Sequence, residues 1–137
     1  MWKYYALLSA LFAAATSILA KVGVKGISGN VATAVRTVVI LFIAWGLVLF
    51  SGQVKEVKEI SRANLIFLVL SGIATGLSWI FYFKALETGD VSKVAPVDKL
   101  SVAFAIGLSI LILKEPVDLK TILGALMIVG GTIVIIW

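Results

Sequence analysis

Apolar residues run along this chain in five long stretches, separated by short clusters of charge, glycine or proline. The first extends from about Tyr4 to Ala20 and closes at Lys21, Gly23, Lys25 and Gly26. The second covers about Val31 to Phe50 and is interrupted only by Arg36. A polar stretch, Ser51 to Asn64, follows. The third run occupies about Leu65 to Phe83, and its connector holds Lys84, Glu87, Gly89 and Asp90. The fourth, about Val91 to Leu113, carries Lys93, Pro96, Asp98 and Lys99 in its first half. Lys114, Glu115, Pro116 and Asp118 make a tight turn before the fifth, Leu119 to Trp137. A helix crosses the hydrocarbon core with about 20 apolar residues. The runs are continuous and lack the period-two alternation of a membrane β-barrel. The pattern predicts an all-α integral membrane protein, a bundle of five transmembrane helices forming one domain over residues 1–137.

Two stretches read in more than one way. Lys3, the apolar run behind it and Ala13-Ala14-Ala15 resemble a secretory signal peptide. With four further runs downstream, an uncleaved first span is the expectation. Between the second and third runs, Val54, Val57 and Ile60 recur at a spacing of three. That suits a short amphipathic helix at the membrane surface, and equally a solvated loop.

Composition agrees with the pattern and removes whole classes of function. Of 137 residues, 61% are hydrophobic and 14% charged, and the mean hydropathy is +1.14. A soluble chain this short cannot hide so much apolar surface. There is no Cys and no His, which removes disulfides, thiolate chemistry, the commonest metal ligand and the usual proton shuttle. No enzyme, cofactor or metal is expected. The net charge of +5 is assigned to loop cations at the membrane surface and not to nucleic-acid binding.

Small residues suggest where helices approach one another in lipid. Ala6, Ala10, Ala13, Ala14 and Ser17 share a face of span one, and Gly72 and Gly76 form a GxxxG in span three. Ala103 with Gly107, and Ala105 with Ser109, do the same in span four, and Gly124 and Gly131 lie a heptad apart in span five. Internal packing is the expectation for the first three, with dimerisation an alternative for span five. An odd span number puts the termini on opposite sides. The N-terminal side then carries six cations, Lys3, Lys55, Lys58, Arg62, Lys114 and Lys120, against Lys21, Lys25, Lys84 and Lys93 opposite. That bias favours a cytoplasmic N-terminus only slightly and is also compatible with insertion in both orientations.

Charge inside a span marks a pathway or a buried pair. Arg36 can snorkel to the headgroups or hold a carboxylate or phosphate bidentately. Asp98 and Lys99 follow Pro96, whose missing N–H opens the helix, as in the broken helices of transporters. Adjacent residues point about 100° apart on a helix, so these two are not required to pair. A pair from Asp98 to another span, such as to Arg36, is the structural alternative. Trp79 and Tyr82 fit either interfacial anchors or a substrate wall. The candidate contacts for substrate or coupling ion are therefore Arg36, Trp79, Tyr82, Asp98 and Lys99.

The segment from Ser92 through Ile135 resembles the C-terminal part of an EamA domain, the building block of the drug/metabolite transporter superfamily. Lys21, Arg36, the Ala85-Leu86 pair, Pro96, Glu115 and the glycine-rich stretch Gly124 to Gly131 support the resemblance across the whole chain. Most relatives have ten spans in two five-span repeats, and this chain is similar to one repeat. The resemblance implies a multi-pass cell-membrane transporter of small metabolites or drugs, with a lone repeat completing the architecture as an antiparallel homodimer. Spans one to four would line a central cavity. The superfamily's four-span exporters carry an essential Glu in their first span, and this chain has no acid there. A non-transporting scaffold or accessory subunit of a larger membrane complex is the alternative function.

Overall fold

The computed structural model describes residues 1–137 and contains only helices and their connections. The helices are α1 (Trp2–Gly23), α2 (Gly29–Phe50), α3 (Val54–Lys58), α4 (Arg62–Thr88), α5 (Val91–Asp98), α6 (Leu100–Leu108) and α7 (Leu119–Ile136). A π-helical turn, Ser109–Leu113, continues α6. Five stretches are long and apolar enough to cross a membrane: α1, α2, α4, the composite Val91–Leu113, and α7. The predicted all-α membrane fold is therefore the observed one. The segment after α2 forms the short helix of the two readings, α3, not a loop. The third span is longer than its apolar run, because the helix continues past Phe83 through Lys84 and Glu87 to Thr88.

Packing divides the chain into two compact units, Met1–Thr88 and Gly89–Trp137. In the first, α4 packs against both α1 and α2. Tyr82 reaches Ser17 and Lys21 reaches the carbonyl of Leu86, both across 65 residues. This constant offset means that α1 and α4 run parallel. Gly29 meets Glu87 while Arg36 meets Trp79, so α2 runs antiparallel to α4. Tight turns make this up-down-up path. Gly26 adopts φ 79° between α1 and α2, which a side chain would resist. Ser28 then caps α2 by accepting from the Val31 N–H.

The core of this unit sits where the end of α4 meets the start of α2. Phe83 is 2% exposed and Leu86 fully buried, with Val24, Ala32 and Thr33 around them. Charges hold the helix ends. The Lys21 ammonium donates to the Leu86 carbonyl at 2.6 Å, in the last turn of α4, where orphan carbonyls and the helix dipole favour a cation. The Glu87 carboxylate accepts from the Gly29 N–H at the first turn of α2, where the dipole favours an anion. Gly29 is required for this approach. A Cβ there would lie 3.0 Å from the Phe83 carbonyl carbon and 3.1 Å from the Lys84 nitrogen.

The glycines of the sequence pattern behave differently. A Cβ at Gly72, Gly76, Gly107, Gly124, Gly130 or Gly131 would meet nothing within 4 Å. The expectation that Gly72 and Gly76 mark a close internal helix contact is thus corrected. In this unit the close approach lies at the Gly29 end, beside the last turns of α4, and the GxxxG occupies its middle. Ala6, Ala10 and Ala14 are likewise exposed.

In the second unit, α7 packs against α5 and α6. Pro96 offers no N–H and its ring crowds the preceding turn. The helix breaks two residues later: α5 ends at Asp98, the Lys99 N–H reaches both Ala95 and Pro96 carbonyls, and α6 starts at Leu100. The Thr132 hydroxyl, buried on α7, lies 3.2 Å from the Pro96 carbonyl and 2.8 Å from the Ile128 carbonyl. At the other end Lys114 takes the left-handed conformation at φ 54° and closes the π-turn. Asp118 caps α7, accepting from both the N–H and the hydroxyl of Thr121. Those two bonds, the hydroxyl's first, hold its carboxyl below the usual carboxylate range.

Two outcomes follow. Gly29→Ala should cost about 1–3 kcal/mol through overpacking, read as a lower melting temperature in detergent, while Gly72→Ala should not lower it. A lowered carboxylate pKa makes the Asp118 cap fully effective above the ordinary Asp value and lost as pH falls through the lowered one. Amide-exchange protection at Thr121 should hold at neutral pH, decline on acidification below about 4, and be reduced at neutral pH by Asp118→Ala.

Candidate substrate site

Arg36 sits seven residues into α2, roughly 10 Å along the helix from Gly29 at 1.5 Å per residue. Its guanidinium lies over the ring of Trp79, 4.0 Å from the centroid, and 5.6 Å from that of Phe83. Trp79 and Phe83 are one turn apart on α4, at the i, i+4 spacing that places two side chains on one helix face. An Arg at the centre of a spanning helix costs about 2.5–3.5 kcal/mol on insertion scales. A desolvated cation–π contact returns about 2 kcal/mol. The rings therefore offset much of the penalty without consuming the N–H donors at the edge of the guanidinium.

No carboxylate neutralises this charge, since the one ion pair in the structure is Lys99 with Asp98. Beside Arg36 lies a cavity of about 370 Å³ between α1, α2 and α4. Thr16, Leu19 and Ala20 line it from α1, Ala32 and Val35 with Arg36 from α2, and Phe83 from α4. Its size is within the range of small-molecule sites, roughly 300–1,000 Å³. Tyr82 braces the wall behind it. Its ring meets Phe83 edge-on at 6.4 Å and 77°. Its hydroxyl donates to Ser17 Oγ at 2.7 Å, and Ser17 in turn donates to the Ala13 carbonyl at 3.0 Å. Such a chain of donors fixes each hydroxyl's direction.

The structure thus brings Arg36, Trp79 and Tyr82 onto one side of the first unit. Asp98 and Lys99 lie in the second unit and pair with each other at 3.0 Å. Helical geometry did not require that pairing. Lys99 stands between α5 and α6. The sequence reading missed Phe83, Thr16 and the Ser17 relay. Phe83 had a signal in its i, i+4 spacing from Trp79; Thr16 had none apart from a hydroxyl in an apolar run.

Tyr82→Phe and Ser17→Ala each remove the same inter-helix bond, so each should cost about 1 kcal/mol. The double variant should cost about as much as either alone, read from unfolding in mixed detergent.

Comparison with known proteins agrees with this architecture. The whole chain, residues 1–137, matches the EamA-like transporter family. It is 45% identical over 134 residues to a Sinorhizobium sp. protein described as "uncharacterized transporter in cobO 3'region". That alignment covers 98% of this chain and 95% of the relative. No solved structure matches the chain. With five membrane-spanning stretches and a family match along its full length, this multi-pass membrane protein belongs to the EamA-like transporter family.

Proposed function

We propose that the protein is a secondary transporter of small metabolites or drugs in the cell membrane, working as an antiparallel homodimer with a central cavity where the two inverted repeats meet. The observation that carries the reading is the uncompensated Arg36 cation, held on Trp79 beside an open pocket between three spanning helices. An intramembrane charge without a counter-ion is costly to keep for structure alone. Arg36, Trp79 and Tyr82 serve the substrate in the first unit. Asp98, the one carboxylate well inside a span, and Lys99 respond to the coupling ion in the second.

Two features support the dimer. Five crossings invert a second copy when it is inserted the other way, which supplies the paired repeats of alternating access. The glycines of α4 and α7 also have open space where a side chain would stand, so these faces can accept another helix closely. The chain contains no Walker-type nucleotide motif, so coupling is to an ion gradient or to exchange.

Purified protein in liposomes should accumulate solute under an imposed proton or sodium gradient, and Asp98→Asn should reduce gradient-driven uptake at least about tenfold. The chain has no native Cys, so single cysteines at Ala95 and Ser101 report water access cleanly. Labelling from both sides of the membrane is expected. No uptake under any gradient, with no labelling from either side, would replace this reading with a packed scaffold.

A further inference from the structure

The cavity of the first unit has an unusual balance of groups. Two polar side chains line it, Thr16 and Arg36, and the remainder of the wall is apolar. The guanidinium makes ring contacts only, and the structure's single ion pair lies elsewhere. Trp79 covers one face of the guanidinium, which leaves its edge donors in the plane that a carboxylate grips bidentately. The Thr16 hydroxyl is a second donor on the opposite helix.

We infer that this cavity binds a small organic monoanion: a carboxylate on an apolar body, the carboxylate on Arg36 and the body against Leu19, Val35 and Phe83. The inference rests on the transport reading for its role as substrate, and names the class that the site selects. Competing classes fit worse. An ammonium, as on a zwitterion, would find no carboxylate on the wall and would lie unpaired against apolar groups. A dianion would leave its second charge without a partner. An inorganic anion would leave the apolar wall unfilled. The pocket volume of about 370 Å³ is in the range of small-molecule sites. A carboxylate carrying one ring is of that size.

The test uses the purified full chain in phosphatidylcholine nanodiscs, with calorimetric titration of phenylacetate, phenylacetamide and phenylalanine. Phenylacetate should bind about 10- to 100-fold tighter than its neutral amide, the worth of a charge-assisted hydrogen bond, and tighter than zwitterionic phenylalanine. Arg36→Gln should abolish the preference for the acid, and Arg36→Lys should restore only part of it. Circular dichroism melting checks that each variant folds, and the acid–amide comparison on the unaltered protein decides the matter without them. Equal binding of acid and amide, tighter binding of phenylalanine, or an acid preference surviving in Arg36→Gln would overturn the inference. So would loss of phenylacetate binding when phosphatidylglycerol is added to the nanodisc, which would give the pocket to an anionic lipid. Phenylacetate that binds but is never carried in liposomes would sink the transport reading and leave the site standing. Gradient-driven uptake of another solute, by protein that ignores phenylacetate, would do the reverse.

Discussion

In hydrocarbon an apolar side chain gains nothing by turning from lipid to a neighbouring helix. The helices of this protein are held instead by a few polar contacts and one close approach. In the first unit these are Lys21 on the Leu86 carbonyl, Glu87 on the Gly29 N–H, and Tyr82 on Ser17. In the second it is Thr132 beside the Pro96 carbonyl. Side chains away from these points, such as Phe42 and Leu111, stay largely exposed, as lipid-facing residues should. Each contact satisfies a group that hydrocarbon would otherwise leave bare. Lys21 and Glu87 also exploit the helix ends, where opposite partial charges await a cation and an anion.

The same constraint shapes the candidate site. Arg36 would be poorly tolerated among apolar residues, and the two rings of α4 make it tolerable without neutralising it. Those rings are in place because Gly29 lets α2 lie directly against the last turns of α4. Tyr82, tied to α1 through Ser17, fixes the third wall. The cavity is therefore a consequence of how three helices meet around one charge. In the second unit the span is interrupted at Lys99, between α5 and α6, and the adjacent Asp98 and Lys99 pair with each other there.

Much of this was legible beforehand, and unevenly so. The number and place of the spans are legible because hydropathy is a property of each stretch by itself, while the third helix runs on past its apolar run, to Arg62 at one end and Thr88 at the other. Arg36 and Pro96 stood out because each violates a rule of its own stretch, a charge in one case and a missing donor in the other. The glycine pattern misled. Gly72 and Gly76 have the spacing of a packing motif yet nothing packs on them in this chain. Gly29, outside any motif, carries the close approach. Spacing reveals what a helix face permits, and the neighbour decides whether it is used.

From its sequence alone this protein had to be a five-span helical membrane protein with a cation, Arg36, inside its second span and a proline, Pro96, inside its fourth, since length and hydropathy act locally. Only the tertiary structure decided what those features meet. The partners that matter are 58 and 65 residues apart along the chain, and no periodicity links them. In lipid a helix contact rests on a few atoms in register, not on a broad apolar face. The sequence can therefore announce that Arg36 needs an answer, while only the packing of α2 on α4 shows that aromatic rings supply it and leave the charge available.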